Sequence, residues 1–266
     1  MKRLIALLMM VLVLMVGTAI AEDASVEYIT EKGTFILGLD DSFPPMGFRD
    51  ENNEIVGFDI DTAREVCKRL GVELVLQPVD WATKELELSS GNIDCVWNGM
   101  SITPDREEAM SMTFSYLNNQ IMVYVQKDSG IATLEDLKGK RIAVQGGSYA
   151  EEMLAYEENL DLAASFGEVL AFDEYLTALM DLQQGGVDAV IIDRVVADYR
   201  IGGMGATDLV PVIAMSDDNY GIGFRKADVA LCEKVESILI EMKNDGTLAT
   251  ISEKWFGSDI SVVPTK

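Results

Sequence analysis

The sequence has no histidine. That absence removes the commonest general base, triads of the Ser-His-Asp type and the commonest transition-metal ligand together. Cations are scarce as well: 21 Lys and Arg stand against 45 Asp and Glu, a formal net charge of −24. A field of that sign repels nucleic acid and anionic lipid, so neither is expected as a partner. It attracts cationic solutes only weakly, because salt screens a charge beyond about 8 Å. Cysteine is limited to Cys67, Cys95 and Cys232, an odd and widely spaced set. Each falls in an apolar-periodic segment where a buried free thiol acts as a small hydrophobe. Pairing of two of them is the alternative open to an exported chain, and metal binding ranks behind both. No metal or cofactor is implied.

Long apolar runs are also missing, with one exception at the start. Lys2 and Arg3 precede an unbroken apolar stretch from Leu4 to Val16, and small residues stand at Ala19 and Ala21 just before Glu22. Such a stretch falls short of the ~20 residues that span a bilayer, so a cleaved secretory leader over residues 1–21 is expected rather than an anchor. No Cys follows the run, which disfavours a lipid-anchored form. The mature chain then begins at Glu22 and, at about 245 residues, is long enough for one large or two medium domains. With 48% hydrophobic and 25% charged residues, it has the composition of a globular protein.

Beyond the leader, short apolar strands alternate with helical patterns, which implies βαβ units and mostly parallel sheets. Strands are expected at Phe35–Asp40, Val72–Val79 and Ile93–Gly99, with helices at Asp59–Leu70, at Trp81–Ser90 and from near Thr103. A second series has strands at Ile121–Gln126, Arg141–Gln145, Val169–Phe172 and Ala189–Asp193. Its helices are expected at Leu134–Leu137, from Ser148 to about Glu158, at Asp173–Gln184 and on to about Ile201. A strand at Tyr220–Phe224 and two helices, from about Asp228 to Lys243 and from about Leu248 to Phe256, close the chain.

An internal echo links the two series. Leu88-Ser-Ser-Gly91-Asn-Ile93-Asp94-Cys-Val96 matches Leu182-Gln-Gln-Gly185-Gly-Val187-Asp188-Ala-Val190 at a constant offset of 94 residues. In both, a helix ends at a Gly that tolerates the left-handed cap, and a strand begins at the Asp. The echo predicts two similarly built α/β lobes and sets Asn98 and Gly99 opposite Ile192 and Asp193. Ligands of open α/β sheets bind beyond the carboxyl ends of strands, so these ends should face a shared cleft.

The run Ser101-Ile-Thr103-Pro104-Asp105-Arg106 is the most informative. Thr103 suits the N-cap, Pro104 the first helical position and Asp105 the helix dipole, whereas Arg106 opposes it. The guanidinium fork would match a carboxylate held near the helix start; pairing with Asp105 or Glu107 at the surface is the alternative. Gln145-Gly146-Gly147-Ser148 joins a strand to a helix and could offer backbone N–H groups to an anion, or be a simple turn. It lacks the third Gly of a dinucleotide fingerprint and the Lys of a P-loop. Asp193 could accept hydrogen bonds from an ammonium group or cap the following helix. The prolines in Asp40-Asp41-Ser42-Phe43-Pro44-Pro45 hold Phe43 in a rigid loop, and Trp81 opens a helix. The two rings could sandwich a ligand side chain or belong to the core.

In these segments the sequence resembles polar amino-acid-binding periplasmic proteins of bacterial extracellular solute-binding family 3. The resemblance is carried by Gly57-Phe-Asp59-Ile-Asp61, by Asp94 through Asn98-Gly-Met-Ser101 to Arg106, and by Leu134-Glu-Asp-Leu137-Lys-Gly139-Lys. Val144-Gln-Gly-Gly-Ser148 and Gly186-Val-Asp188-Ala-Val190-Ile-Ile-Asp193 complete it. It implies a two-lobed, type II Venus-flytrap fold of the α/β class, each lobe a mostly parallel sheet flanked by helices. The first lobe would take residues 22–117 and 217–266 and the second 118–216, with crossovers near Leu117–Asn119 and Ala214–Asp218. The resemblance further implies that Arg106 grips a ligand α-carboxylate with Ser101 and Ser148, and that Asp193 and the Gly99 carbonyl hold the α-ammonium. Asp40, Phe43 and Trp81 would contact the side chain. It implies a periplasmic monomer that delivers one amino acid to the membrane subunits of an ABC transporter.

There are departures from the histidine and lysine-arginine-ornithine binders, which carry a second Cys where this chain has Leu74, a Ser pair at Asn98 and Gly99, and a Tyr at Phe43. The ligand is therefore not copied from them. Asp40 suggests a basic or amide side chain, arginine or lysine first and glutamine second. Two other readings are a periplasmic dehydratase resembling the cyclohexadienyl dehydratases, which needs a general acid in the cleft, and a sensor ectodomain.

Overall fold

The computed structural model describes residues 23–265, so the expected leader lies outside the described residues. The chain first forms α1 (Ser25–Lys32), β1 (Thr34–Leu39), β2 (Ser42–Phe43), β3 (Gly47–Arg49), β4 (Ile55–Val56), α2 (Phe58–Leu70) and β5 (Glu73–Pro78). Next come α3 (Lys84–Ser89), β6 (Cys95–Ser101), α4 (Pro104–Ala109), β7 (Met110–Met112) and the long β8 (Leu117–Gln126). Then follow β9 (Arg141–Gln145), α5 (Tyr149–Glu152), α6 (Leu160–Ser165), β10 (Glu168–Phe172), α7 (Tyr175–Gln184), β11 (Ala189–Asp193) and α8 (Arg194–Met204). The described chain closes with β12 (Leu209–Arg225), α9 (Val229–Asn244) and α10 (Thr247–Phe256). No helix among the described residues is long and apolar enough to cross a membrane.

Two parallel triplets, β5-β1-β6 and β10-β9-β11, are the centres of two α/β lobes. Strands β8 and β12 lie between them, antiparallel to each other, so a single nine-stranded sheet runs through both lobes. The expectation of mostly parallel sheets therefore holds for the triplets, while the connection between them is antiparallel. The chain passes from one triplet to the other on β8 and returns on β12, where Asn119 stands opposite Asp218. The C-terminal helices then pack back on the first triplet's helix α2: Trp255 Nε1 donates to Asp61 Oδ2 at 2.9 Å and Arg69 Nη2 to Asp245 Oδ2 at 2.8 Å.

Helix α2 shows how local sequence produces these elements. Ile60, Ala63 and Cys67 recur at helical spacing and are buried, with Asp59 and Asp61 in the first turn and Lys68 and Arg69 in the last. Gly71 stops it in the left-handed region at φ 76°, returning its N–H to the carbonyls of Cys67 and Lys68. Strands β6 and β11 are buried along their whole lengths, as central strands covered on both faces should be. All three cysteines are buried free thiols, so the disulfide alternative is not realised.

The internal echo is a real structural repeat. Gly91 and Gly185 both sit in the left-handed region, at φ 78° and 77°. Asp94 Oδ2 accepts the Ile36 N–H at 2.7 Å, and Asp188 Oδ2 accepts the Arg141 N–H at 2.8 Å. Each of these two Asp residues also returns its own N–H to the carbonyl of the same partner, at 2.7 and 2.9 Å. The repeated Asp, one residue before β6 or β11, thus ties the start of that strand to the neighbouring parallel strand in both lobes.

Two expected helices are shorter than their sequences suggest. The segment from Trp81 opens with a 3-10 turn, Trp81–Thr83, before α3. The segment from Ser148 breaks after α5 into 3-10 turns at Met153–Ala155 and Glu157–Asn159. There Asn159 Nδ2 donates to the Met153 carbonyl at 2.8 Å, a side-chain bond that competes with helix continuation.

Candidate ligand site at the strand ends

Arg106 is buried, with 3% of its side chain exposed, and folds back from the first turn of α4. Nη1 donates to the Ser101 carbonyl at 3.0 Å. Nη2 reaches the second lobe, donating to Glu152 Oε1 at 2.6 Å and to the Gly147 carbonyl at 3.3 Å. Nε is buried without a partner. Surface pairing with Asp105 or Glu107 is thus not what this side chain does. The local geometry explains its direction: Thr103 caps α4 by accepting the Arg106 N–H, which anchors the first turn against the end of β6.

Facing Arg106, the turn after β9 brings backbone close to the first lobe. Gly147 lies at φ +69°, and a Cβ there would stand 2.7 Å from the Ala82 Cα, so only glycine fits. Its carbonyl accepts from Lys84 Nζ at 2.8 Å, and its N–H donates to Glu151 Oε2 at 2.7 Å. Burial, reinforced by the Arg106 charge, pulls the Lys84 ammonium down to about 8. Ser148 acts as the cap of α5, accepting from the Glu151 N–H at 3.2 Å and donating to the Gln145 carbonyl at 2.7 Å.

The acid side is a pair. Asp193 makes no side-chain cap to α8. Instead its Oδ1 accepts from Asn119 Nδ2 and from the Tyr220 hydroxyl, both at 2.7 Å. Asp218 Oδ2 accepts from the same Asn119 Nδ2 at 2.9 Å and from the Ser101 hydroxyl at 3.0 Å. Burial, with the Asp218 charge adding to it, pushes the Asp193 carboxyl up to about 7, against the opposing Tyr220 bond and Arg106 charge. Burial raises Asp218 as well. Ser101 therefore joins the two charges, its carbonyl on Arg106 and its hydroxyl on Asp218.

On the remaining side, Phe43 and Trp81 have ring centroids 6.5 Å apart and planes 10° from parallel. Tyr175 lies 6.1 Å from Phe43, its hydroxyl buried and unpartnered. Gly99, at φ +58°, brings backbone against both Phe43 and Tyr220: a Cβ would meet their rings at 2.7 and 3.1 Å. Asp40 is already engaged, Oδ1 by the Ser42 N–H and hydroxyl and Oδ2 by Gln145 Nε2 at 2.7 Å, and burial raises its pKa.

These contacts tie Arg106, Ser101, Asp193, Gly99, Phe43, Trp81, Ser148 and Asp40 into one cluster at the strand ends. Sequence reasoning did not single out Asp218, Asn119, Tyr220, Lys84 or Glu152. The acid-rich Asp217-Asp218-Asn219 within an otherwise extended segment was the signal available for the first of them.

Residues 35–258 match the bacterial extracellular solute-binding proteins, family 3. The L-cystine-binding protein TcyJ of Escherichia coli (strain K12) is 32% identical over 243 residues, covering 91% of this chain and 89% of its own. ABC transporter arginine-binding protein 1 of the same strain is 32% identical over 225 residues, with coverages of 83% and 89%. Among solved structures, an ABC uptake transporter substrate-binding protein from Streptococcus pneumoniae with bound histidine superimposes with a TM-score of 0.85. It has 33% identity and covers 91% of this chain and 99% of its own. With its two α/β lobes and the breadth of these matches, the chain belongs to family 3 of the bacterial extracellular solute-binding proteins.

Proposed function

We propose that this chain binds one free, polar amino acid where its lobes meet and delivers it to the membrane subunits of an ABC transporter. The observation that carries the reading is the buried link from Arg106 through Ser101 to Asp218 and Asp193. It sets a guanidinium fork and carboxylates of opposite charge in one site, a pattern complementary to a zwitterion. In this reading Arg106 takes the α-carboxylate with Ser101 and the Ser148 turn. Asp193 and the Gly99 carbonyl take the α-ammonium, and Phe43, Trp81 and Asp40 line the side chain. Residues 22–117 and 217–266 act as one lobe and 118–216 as the other, hinged on the paired segments of β8 and β12. The protein works as a periplasmic monomer after loss of residues 1–21.

Closure excludes water and strengthens both charged contacts, and it is driven only by the ligand's better fit to the closed state. Arginine or lysine stands first as ligand and glutamine second. Cystine and histidine join them because relatives are named for, or hold, those ligands. The engagement of Asp40 by Gln145 means that a basic side chain must either displace that amide or share the carboxylate with it. A dehydratase would need an acid free to protonate substrate, whereas the raised acids of this site, Asp193 and Asp218, are engaged by Asn119, Tyr220 and Ser101. A thermal-shift screen against the twenty amino acids with ornithine and cystine tests the proposal, since a ligand raises the melting point by mass action. Stabilisation by none of them would end it.

A further inference from the structure

The acid side of the site holds one carboxylate more than a single ammonium acceptor requires. Asp193 and Asp218 share one side-chain donor, Asn119 Nδ2, at 2.7 and 2.9 Å. Asp218 is 4% exposed, and its Oδ1 is buried with no hydrogen-bond partner. A buried carboxylate with an unfilled lone-pair site is costly unless a cation or a donor completes it. The groups packed around the pair are Ser101 from β6, Asn119 from β8, Tyr220 from β12, Tyr175 from α7 and Arg106 from α4. Arg106 is the cation among them, and the three hydrogen bonds of its guanidinium go to Ser101, Gly147 and Glu152.

We propose that Asp218 is a second ligand-binding carboxylate and that a primary ammonium group sits between it and Asp193. The inference rests on the amino-acid-binding reading above and deepens it. A primary ammonium has three N–H donors and no acceptor, so it needs three acceptors: Asp193 and Asp218 Oδ1 would supply two, and the Gly99 carbonyl, in the reading above, the third. Asp218 also has a position that Asp193 lacks. It stands on β12 opposite Asn119 of β8, and it is bonded to Ser101 at the end of a first-lobe strand. Through Asn119 it is coupled to Asp193 at the end of a second-lobe strand. An ammonium held there therefore bonds to the hinge and to the second lobe at once, which ties recognition of the amine to closure. Burial raises both carboxyls and the Asp218 charge raises Asp193 further, to about 7, so at pH 6 an incoming ammonium displaces a proton from Asp193.

The competing account is water. An open cavity of about 520 Å³ on the hinge, lined by Asn118, Gln120, Arg194 and Asp217 among others, also borders Asp218 and could supply a solvent donor. Calorimetric titration of L-arginine, L-cystine, L-histidine and L-glutamine, each separately, separates the two accounts. It is run on the wild-type chain, Asp218→Asn and Asp217→Asn at pH 6 in two buffers of different ionisation heat. The inference expects Asp218→Asn to weaken the tightest of these ligands ~10-fold or more and Asp217→Asn to leave it unchanged. It also expects wild-type binding to release up to about one proton, and the variant to release less. Replacing a buried carboxyl by a neutral amide removes its desolvation cost, so ligand-free Asp218→Asn should melt no lower than wild type and a loss of affinity is not a loss of fold. Wild-type binding with an Asp218→Asn affinity within twofold, or with no proton released, overturns the inference alone. Binding of no amino acid by the wild-type chain overturns the reading beneath it as well.

Discussion

Replacing Arg106 with Ala should separate affinity from stability, and the structure gives the size of each. On the affinity side, a ligand carboxylate loses a bidentate, charge-assisted partner in a buried site, worth about 3 kcal/mol or more. That is a ~100-fold or greater rise in Kd. On the stability side, the Ser101 and Gly147 carbonyls lose bonds of 3.0 and 3.3 Å, a cost of about 1 kcal/mol each at most. Glu152 loses its 2.6 Å partner, but with 29% of its side chain exposed it can hydrate, so this costs about 1 kcal/mol or less. Two terms oppose these losses: the unpartnered Nε is no longer buried, and Lys84 is freed from a neighbouring like charge. The ligand-free variant should therefore melt within a few degrees of wild type while calorimetry against the best ligand shows the large loss. Arg106→Lys keeps the charge without the fork and should recover only part of the affinity. An Arg106→Ala affinity within twofold of wild type would refute the reasoning, as would a loss of binding explained by unfolding.

Glu152→Gln removes a carboxylate that competes for the same guanidinium, so affinity should rise several-fold, about 1 kcal/mol, in a titration; a fall would make Glu152 part of the ligand-bound site. Binding should weaken as pH drops below about 7, where the Asp193 carboxyl takes up its proton, with a limit of about tenfold per unit; affinity flat from pH 8 to 5 would contradict this. Ligand-free stability should move the other way. A carboxyl raised in the folded state is least favourable when ionised above about 7, and that penalty fades as pH falls toward its unfolded value. Asp193→Asn should accordingly melt above wild type at pH 8, and the gap should narrow by pH 5. Gly147→Ala places a Cβ 2.7 Å from Ala82 and should lower affinity ~10-fold or more by holding the lobes apart. Its ligand-free melting point should fall only slightly, and unchanged binding would mean the lobes do not meet there.

What could be read from the residues depended on how local the cause was. Helix α2 and strand β11 follow from apolar spacing and from Gly or Asp at the right ends, so sequence and structure agree within a residue or two. Strand β12 was legible only at its apolar end, Tyr220–Phe224. Its first half contains Pro211 and the polar Ser216-Asp217-Asp218-Asn219, which look like a loop. That half is extended because β8 pairs with it, a nonlocal cause that leaves no periodicity behind. The site divides in the same way. Arg106 stood out because it opposes a helix dipole, and Asp193 because it ends a buried strand. Asn119, Tyr220 and Asp218 break no local rule; they matter because β6, β8, β11 and β12 converge on them. Gln145 was visible within its glycine run, but its bond to Asp40, 105 residues away, was not.

A crystal structure grown with the amino acid that gives the largest thermal shift tests the central claim most directly. The account predicts the ligand carboxylate on the Arg106 guanidinium and its ammonium within hydrogen-bonding distance of Asp193. A ligand bound elsewhere, with Arg106 still paired to Glu152 and the carboxylates of Asp193 and Asp218 untouched, would contradict it.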